Sequence, residues 1–327
     1  MSFSIYRYER PYAQAIQLKQ GRFRYREGLV LSRMTPKGTQ YSEVAPFPGL
    51  QFETPEDCQN QLRKIQAGLR VNLYPSVAWG LHQLDSPQCP PPVKSVPVNT
   101  LISGFKQDSA FYEQVDQRYA KGYRCFKIKV GLYTSQQEVH RIQTLLDTYS
   151  DITLRLDANK SWSYTQYEQF HQALKNPRLE YFEEPFRNPE EYAKLTAKQW
   201  KQIALDESLS LDMPHLLHSA QAFVLKPVVL GPERLAKLLA LAQKQGKTIV
   251  FSSCFESSLG LSILAQYAAQ YAPQTPCGLD TQQAFSEDIW TPAVEVTQGK
   301  IAFEQAFFGV QTQHQLKWKT RYIRKIN

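Results

Sequence analysis

Five charged residues stand at regular intervals in the middle of this 327-residue chain: Lys129, Asp157, Glu183, Asp206 and Lys226. Successive members are 28, 26, 23 and 20 residues apart, each about the length of one strand–helix unit. Each follows an apolar run, as in Phe126-Lys127-Ile128-Lys129, Arg155-Leu156-Asp157, Tyr181-Phe182-Glu183, Ala204-Leu205-Asp206 and Val224-Leu225-Lys226. Three carboxylates converging from neighbouring strand ends repel one another unless a cation lies among them. All-oxygen ligation points to a hard divalent ion, magnesium first, with manganese as a substitute. Lysines flanking such a site from opposite sides can act as base and acid, and burial, positive neighbours and the metal are expected to favour a neutral amine. Lys127, two residues before Lys129, falls on the same strand face. Any one of these residues alone would be an ordinary turn or rim residue, and Glu184 and Glu207 are read that way, as supporting or rim groups. Five consecutive strand ends with this order of charge are not explained by rim chemistry.

The elements that must position these residues repeat with a constant beat. Strands are predicted at Val96–Ile102, Cys125–Val130, Thr153–Asp157, Leu179–Glu183, Gln202–Asp206, Phe223–Pro227 and Thr248–Ser252, with a short segment at Cys277–Asp280. Helices are predicted between them at Ser109–Ala120, Gln136–Tyr149, Tyr164–Leu174, Pro189–Thr196, Met213–Ala220, Pro232–Gln245 and Ser258–Tyr271. Alternation of this kind implies parallel strands with right-handed crossovers, and about eight of them close into a barrel whose C-terminal strand ends share one mouth. The first ninety residues differ: strands at Tyr6–Leu18, Gly28–Met34 and Gln40–Ala45 precede helices at Glu56–Leu69 and Pro75–Leu84. The cluster Ser86-Pro87-Gln88-Cys89-Pro90-Pro91-Pro92 suits neither helix nor central strand and marks the expected boundary. The predicted division is an α+β domain over residues 1–92, an α/β barrel over 93–296, and a tail, 297–327, returning to the first domain.

Composition narrows the class. Hydrophobic residues make up 42% and aromatics 12%, as in a packed protein. The formal charge of +8 is dispersed; its densest run, Lys317 to Lys325, reads as a solvated tail rather than a nucleic-acid patch. No apolar run approaches a membrane span, and the N-terminus lacks the core of a secretion signal, so a cytoplasmic protein without a membrane partner is expected. Five scattered cysteines form no zinc or redox motif, and no strand is followed by a glycine-rich phosphate loop. His82, His140, His171, His215, His218 and His314 fall in predicted helices or the tail, which argues against a histidine base and a zinc site.

These residues resemble the enolase superfamily, whose members use a lysine or histidine base with magnesium to stabilise an enediolate. Lys127-Ile128-Lys129 is similar to the superfamily's Lys-x-Lys, Asp157, Glu183 and Asp206 to its three metal ligands, and Lys226 to its second catalytic lysine. The implied architecture is a modified TIM (β/α)7β barrel with an α+β capping domain. Within the superfamily the chain most resembles the o-succinylbenzoate synthase family. The stretches that carry this are Arg155-Leu156-Asp157-Ala158-Asn159, Ser42-Glu43-Val44-Ala45-Pro46-Phe47-Pro48-Gly49, Arg26-Glu27-Gly28 and Ser252-Ser253-Cys254-Phe255-Glu256-Ser257-Ser258-Leu259-Gly260. Phe255 and Cys254 depart from the expected smaller or more usual residues.

The resemblance implies magnesium-dependent dehydration of the dicarboxylate 2-succinyl-6-hydroxy-2,4-cyclohexadiene-1-carboxylate to 2-succinylbenzoate, a hydro-lyase step of menaquinone or phylloquinone biosynthesis. Lys129 would be the base and Lys226 the stabilising charge on the other face. Lys127 would tune the base and meet a carboxylate, with Ser253 as a further substrate contact and Arg155 either another or a buried salt bridge under the barrel mouth. A loop from Gln17 to Arg26, hinged at Gly21 and Gly28, would fold over the mouth. The oligomeric state is open and compatible with a monomer. An N-acylamino acid racemase or dipeptide epimerase would share the lysine pair; a non-catalytic basic nucleic-acid-binding module is the reading from another class.

Overall fold

The computed structural model describes residues 2–18, 21–36, 38–86, 91–291, 293–303, 317–319 and 321–326. Its N-terminal part is built on a long antiparallel hairpin of β1 (Ser4–Leu18) and β2 (Gly21–Thr35), with β3 (Gly38–Val44) paired to β2. Two helices cover one face, α1 (Pro55–Gln66) and α2 (Pro75–Asp85). α1 starts where the sequence says it should: the Thr54 hydroxyl accepts from Asp57 N, and the Asp57 carboxylate accepts from Thr54 N. Cys58 and Leu62, one helical turn apart, are its buried stripe, packed in a cluster with Leu29, Leu31, Val44, Val77 and Leu84.

The second part alternates as expected. The predicted strand at 96–102 is two strands, β4 (Ser95–Pro97) and β5 (Thr100–Ile102), which belong to different sheets. Then follow α3 (Asp108–Ala120), β6 (Cys125–Lys129), α4 (Ser135–Thr148), β7 (Thr153–Asp157), α5 (Tyr164–Ala173) and β8 (Leu179–Glu183). The helix expected at 189–196 is a 3-10 turn over Pro189–Lys194, followed by α6 (Ala197–Trp200) and β9 (Ile203–Leu205). The unit series ends with α7 (Pro214–Ser219), β10 (Ala222–Leu225), α8 (Pro227–Gln245), β11 (Thr248–Phe251) and α9 (Ser258–Tyr271). α8 is broken at Gly231, which adopts φ 70°, so its regular part begins at Pro232. Short strands β12 (Trp290–Thr291), β13 (Lys300–Ala302), β14 (Lys317–Trp318) and β15 (Ile323–Ile326) follow.

Strands β5 to β11 form one parallel sheet in sequential order. The segment at Cys277–Gly278 closes it, bridging in parallel to Val98 on one side and to Ser252 on the other. The result is a (β/α)7β barrel. Period-two alternation divides each strand. Phe126, Ile128, Leu154, Leu156, Phe182, Ile203, Leu205, Phe223, Leu225 and Phe251 face the helices in the main core, whereas Tyr181, Ala204, Ala222, Val224 and Val250 cluster separately in the lumen. On β6 to β10 the inward row ends in a charged residue: Lys129, Asp157, Glu183, Asp206 and Lys226.

The chain's end returns to its beginning: β15 pairs with β1, Ile5 opposite Ile326 and Tyr8 opposite Ile323. β14 pairs with β12. Four of the boundary residues, 87–90, and residues 304–316 of the tail, with His314, lie outside the described residues. The remaining histidines are in helices: His82 in α2, His140 in α4, His171 in α5, His215 and His218 in α7. Among the described residues no helix is long and apolar enough to cross a membrane.

The loop expected at 17–26 is instead the end of the β1–β2 hairpin, with Leu18 opposite Gly21; residues 19 and 20 lie outside the described residues. Gly28 is no hinge. It sits inside β2 opposite Tyr8, and a Cβ there would meet the Tyr8 hydroxyl at 2.5 Å. Glycine is required because the tyrosine ring occupies the space.

Candidate active site

Strand register brings the predicted residues to one end of the barrel. Lys129 is the cross-strand partner of Asp157, and Asp157 of Glu183; Asp206 lies two residues beyond Ala204, the partner of Glu183. Lys226 follows β10 directly and opens α8. Above them is a cavity of about 400 Å³, within the range of small-molecule sites. Lys127, Lys129, Asp157, Asp206, Glu207 and Lys226 line one part of its wall, and Ser252, Ser253, Cys254, Phe255, Asp280 and Thr281 another. Ile16, Phe47 and Leu50 reach it from the N-terminal part of the chain.

The charges are tightly paired. Lys127 Nζ donates to Glu183 Oε1 at 2.7 Å and lies 3.0 Å from Asp157 Oδ2. Lys226 Nζ donates to Asp206 Oδ2. Lys129 Nζ takes a neutral partner, Asn159 Oδ1, at 2.7 Å. Burial disfavours the Lys127 ammonium, but Asp157, Glu183 and Asp206 outweigh it and raise its pKa. The same balance, with Asp206 the chief attraction, raises that of Lys226. Without a cation among them, the carboxylates hold both of these lysines protonated. Burial also opposes the charged form of Asp157, yet Lys127 and Lys129 keep its carboxyl below the usual range. Glu183 goes the other way, pushed well up by burial and by Asp157 and Asp206 despite Lys127.

The donor set suits a hard divalent cation. Three carboxylates stand on adjacent strand ends, and Glu183 Oε2 is buried with no hydrogen-bond partner, an acceptor that a cation would satisfy. With the lysines paired as they are, no three acidic, imidazole or thiol groups among the described residues are gathered closely enough to hold an ion.

Two of the expected accessory residues behave differently. Ser253 lines the cavity, its hydroxyl donating to Glu256 Oε2 at 2.5 Å and lying 2.9 Å from Thr281 Oγ1. Arg155 is not in the cavity wall. It is wholly buried lower in the lumen, bonded to Glu180 Oε2 at 2.7 Å, Asn99 Oδ1 at 3.1 Å and Pro276 O at 2.5 Å. Arg155 lies two residues before Asp157 on the same inward row, one layer below the mouth.

Sequence reasoning missed Asn159 and left Glu184 between a supporting and a rim role, of which the structure shows the first. Asn159, two residues past Asp157, has φ 44° and presents its side chain to the lysine; its place in the row after Asp157 was the available signal. Glu184 is no rim residue: it is fully buried and accepts from Asp206 N and Ser208 N, each at 2.8 Å, and from the Ser208 hydroxyl at 2.8 Å. It fixes the backbone that presents Asp206. Nothing in a Glu-Glu-Pro triplet distinguishes the outward residue as buried.

Comparison with known proteins agrees with this geometry. A family described as enolase C-terminal domain-like matches residues 110–310, and one described as MenC, N-terminal domain, matches residues 1–85. The o-succinylbenzoate synthase of Aliivibrio fischeri (strain MJ11) is 32% identical over 307 residues, covering 88% of this chain and 92% of the relative. That of Pasteurella multocida is 30% identical over 322 residues, covering 89% and 92%. Among solved structures, o-succinylbenzoate synthase from Thermosynechococcus elongatus, complexed with magnesium in its active site, superposes with a TM-score of 0.68 at 25% identity, covering 85% of this chain and 92% of that one. A dipeptide epimerase from Methylococcus capsulatus gives a TM-score of 0.76 at 17% identity, covering 94% and 98%, which is a likeness of fold. A cap hairpin, a (β/α)7β barrel and relatives matched over nearly their whole length lead to one assignment: this chain belongs to the o-succinylbenzoate synthase family of the enolase superfamily.

Proposed function

We propose that this chain dehydrates 2-succinyl-6-hydroxy-2,4-cyclohexadiene-1-carboxylate to 2-succinylbenzoate with magnesium as cofactor, Asp157, Glu183 and Asp206 being the ligands, Lys129 the base and Lys226 the opposing charge. The observation that carries the reading is that Lys129, Lys226, Asp157 and Asp206 line one cavity, with Glu183 the strand partner of Asp157, in a chain 32% identical to synthases. Magnesium, when bound, supplies positive charge beside the substrate carboxylate and so acidifies the adjacent C–H.

Lys129 removes that proton, its amine oriented by Asn159. The C–O bond to the departing hydroxyl then breaks, and the proton taken by Lys129 is returned to the leaving oxygen, so that water leaves and the ring becomes aromatic. Lys226, protonated against Asp206, stabilises the negative charge developing on the ring from the other face. Lys127 holds Asp157 and Glu183 in place and provides positive charge beside the base. Ser253, with Thr281, is assigned to the polar end of the substrate, and Ile16, Phe47 and Leu50 exclude water. Arg155 is assigned to the barrel's internal support.

The same reading divides the chain into a cap, 1–92 with 297–327, and a catalytic barrel, 93–296, and places the enzyme in the cytoplasm. The test is loss of the cyclohexadiene absorbance in the presence of magnesium. Turnover abolished by a chelator and restored by magnesium is expected. No turnover on that acid, with racemisation of an N-acylamino acid in deuterium oxide instead, would transfer the chain to the racemase reading.

A further inference from the structure

We propose that Glu43 is a positioning residue that acts from the N-terminal sheet on the substrate-binding loop after β11; the claim rests on the synthase reading and adds to it the origin of the pocket's shape. Glu43 pairs with Val30 one residue before the end of β3 and is 3% exposed. Its carboxylate is spent across 214 residues of sequence on the start of α9: Oε1 accepts from Ser257 N at 3.0 Å, and Oε2 accepts from the Ser257 hydroxyl at 2.7 Å. Gly260 N donates to Oε2 at 2.8 Å, and the Tyr8 hydroxyl donates to Oε1. These amides are among those a helix N-terminus leaves without partners, and a carboxylate there also meets the positive end of the helix dipole.

The loop so anchored needs an anchor. Ser252, Ser253, Cys254 and Phe255, which precede Ser257, all line the cavity. Phe255 has φ 61°, a left-handed conformation unfavourable for a bulky residue that persists only when its surroundings enforce it. Its ring stacks on Phe47 at 5.6 Å, in the segment just after Glu43. Inside the loop the Glu256 carboxylate accepts from Ser253 and from Cys254 N, and Arg26 and Arg10 donate to the carbonyls of Cys254 and Glu256, but none of these groups can accept from Ser257 N and Gly260 N at the start of α9. Glu43 can. Gly260 leaves the room for this: a Cβ there would stand 2.5 Å from Glu43 Oε2.

Glu43→Gln keeps the shape and removes the charge; Gly260→Ala keeps Glu43 and displaces its carboxylate. Each variant is expected to raise KM about tenfold, with kcat within about twofold because the lysines stand on other strands. Both should speed amide exchange at Ser257 and the residue at 260. Because they break one device, the double variant should be no worse than the poorer single one. A fall in kcat at unchanged KM, multiplying effects, or unaltered exchange would overturn the proposal. If Glu43→Gln does not fold, Ser257→Ala, which removes one of the four bonds, is expected to show the same KM rise in smaller measure, and an unchanged KM there counts against it. A parent enzyme without synthase turnover refutes the reaction; exchange at Ser257 and Gly260, and calorimetric binding of 2-succinylbenzoate, still read the anchor.

Discussion

Lys127 and Glu183 form a buried ion pair, Nζ to Oε1 at 2.7 Å, across the strand that carries Asp157. The pair gives the protein an internal cation where an external one is proposed to bind. Lys127→Met would leave Glu183 and Asp157 buried and uncompensated, at a cost of about 3 kcal/mol. Thermal melts should show that loss in chelator and a partial recovery when magnesium is added, since a ligand of the folded state stabilises it. Equal loss under both conditions would count against a metal on these carboxylates.

Lys129 and Lys226 should separate activity from stability differently. Replacement of either by alanine is expected to lower turnover by about a thousandfold or more. Among the described residues Lys129 donates only to the neutral Asn159 and attracts Asp157 less than Lys127 does, so its loss should lower the melting temperature only slightly. Lys226→Ala strands the buried Asp206 and should lower it. Near-parental turnover in either variant would end the assignment.

Arg155 offers the opposite contrast. Arg155→Met removes donors from the buried Asn99 Oδ1 and the half-buried Pro276 O, and should cost roughly 2 kcal/mol of stability. KM should stay within about twofold. A large KM change at parental stability would return Arg155 to the substrate contacts.

Glu207 supplies a pH signature of the metal-free protein. Burial, reinforced by Asp206 and opposed by Lys226, raises its carboxyl from 4.5 to about 7. A carboxyl with a higher pKa folded than unfolded binds more protons in the folded state across that interval, so it takes stability away as pH rises from about 4.5 to about 7. Melts in chelator should show Glu207→Gln gaining on the parent over that window. A constant difference between the two would remove Glu207 as the source.

The order of elements, the barrel and the charged strand ends were legible in the sequence because they depend on local periodicity. Strand alternation carries Lys127 with Lys129 and Arg155 with Asp157 to the inward face, and helix-length spacing puts successive charges at one end. What the sequence did not contain was depth and partnership. Arg155 and Asp157 share a face, but register and barrel closure put one in the floor and the other at the mouth. Glu183 and Glu184 are adjacent and both buried, yet one faces the lumen and the other turns back to hold the backbone of Asp206. The resting charge of Lys127 and Lys226 depends on how closely three strands bring their carboxylates, and the anchoring of the Phe255 loop depends on Glu43, 214 residues away. Such relations arise only when strands distant in sequence meet, because burial and Coulomb energy are set by distances in space and not by distances along the chain.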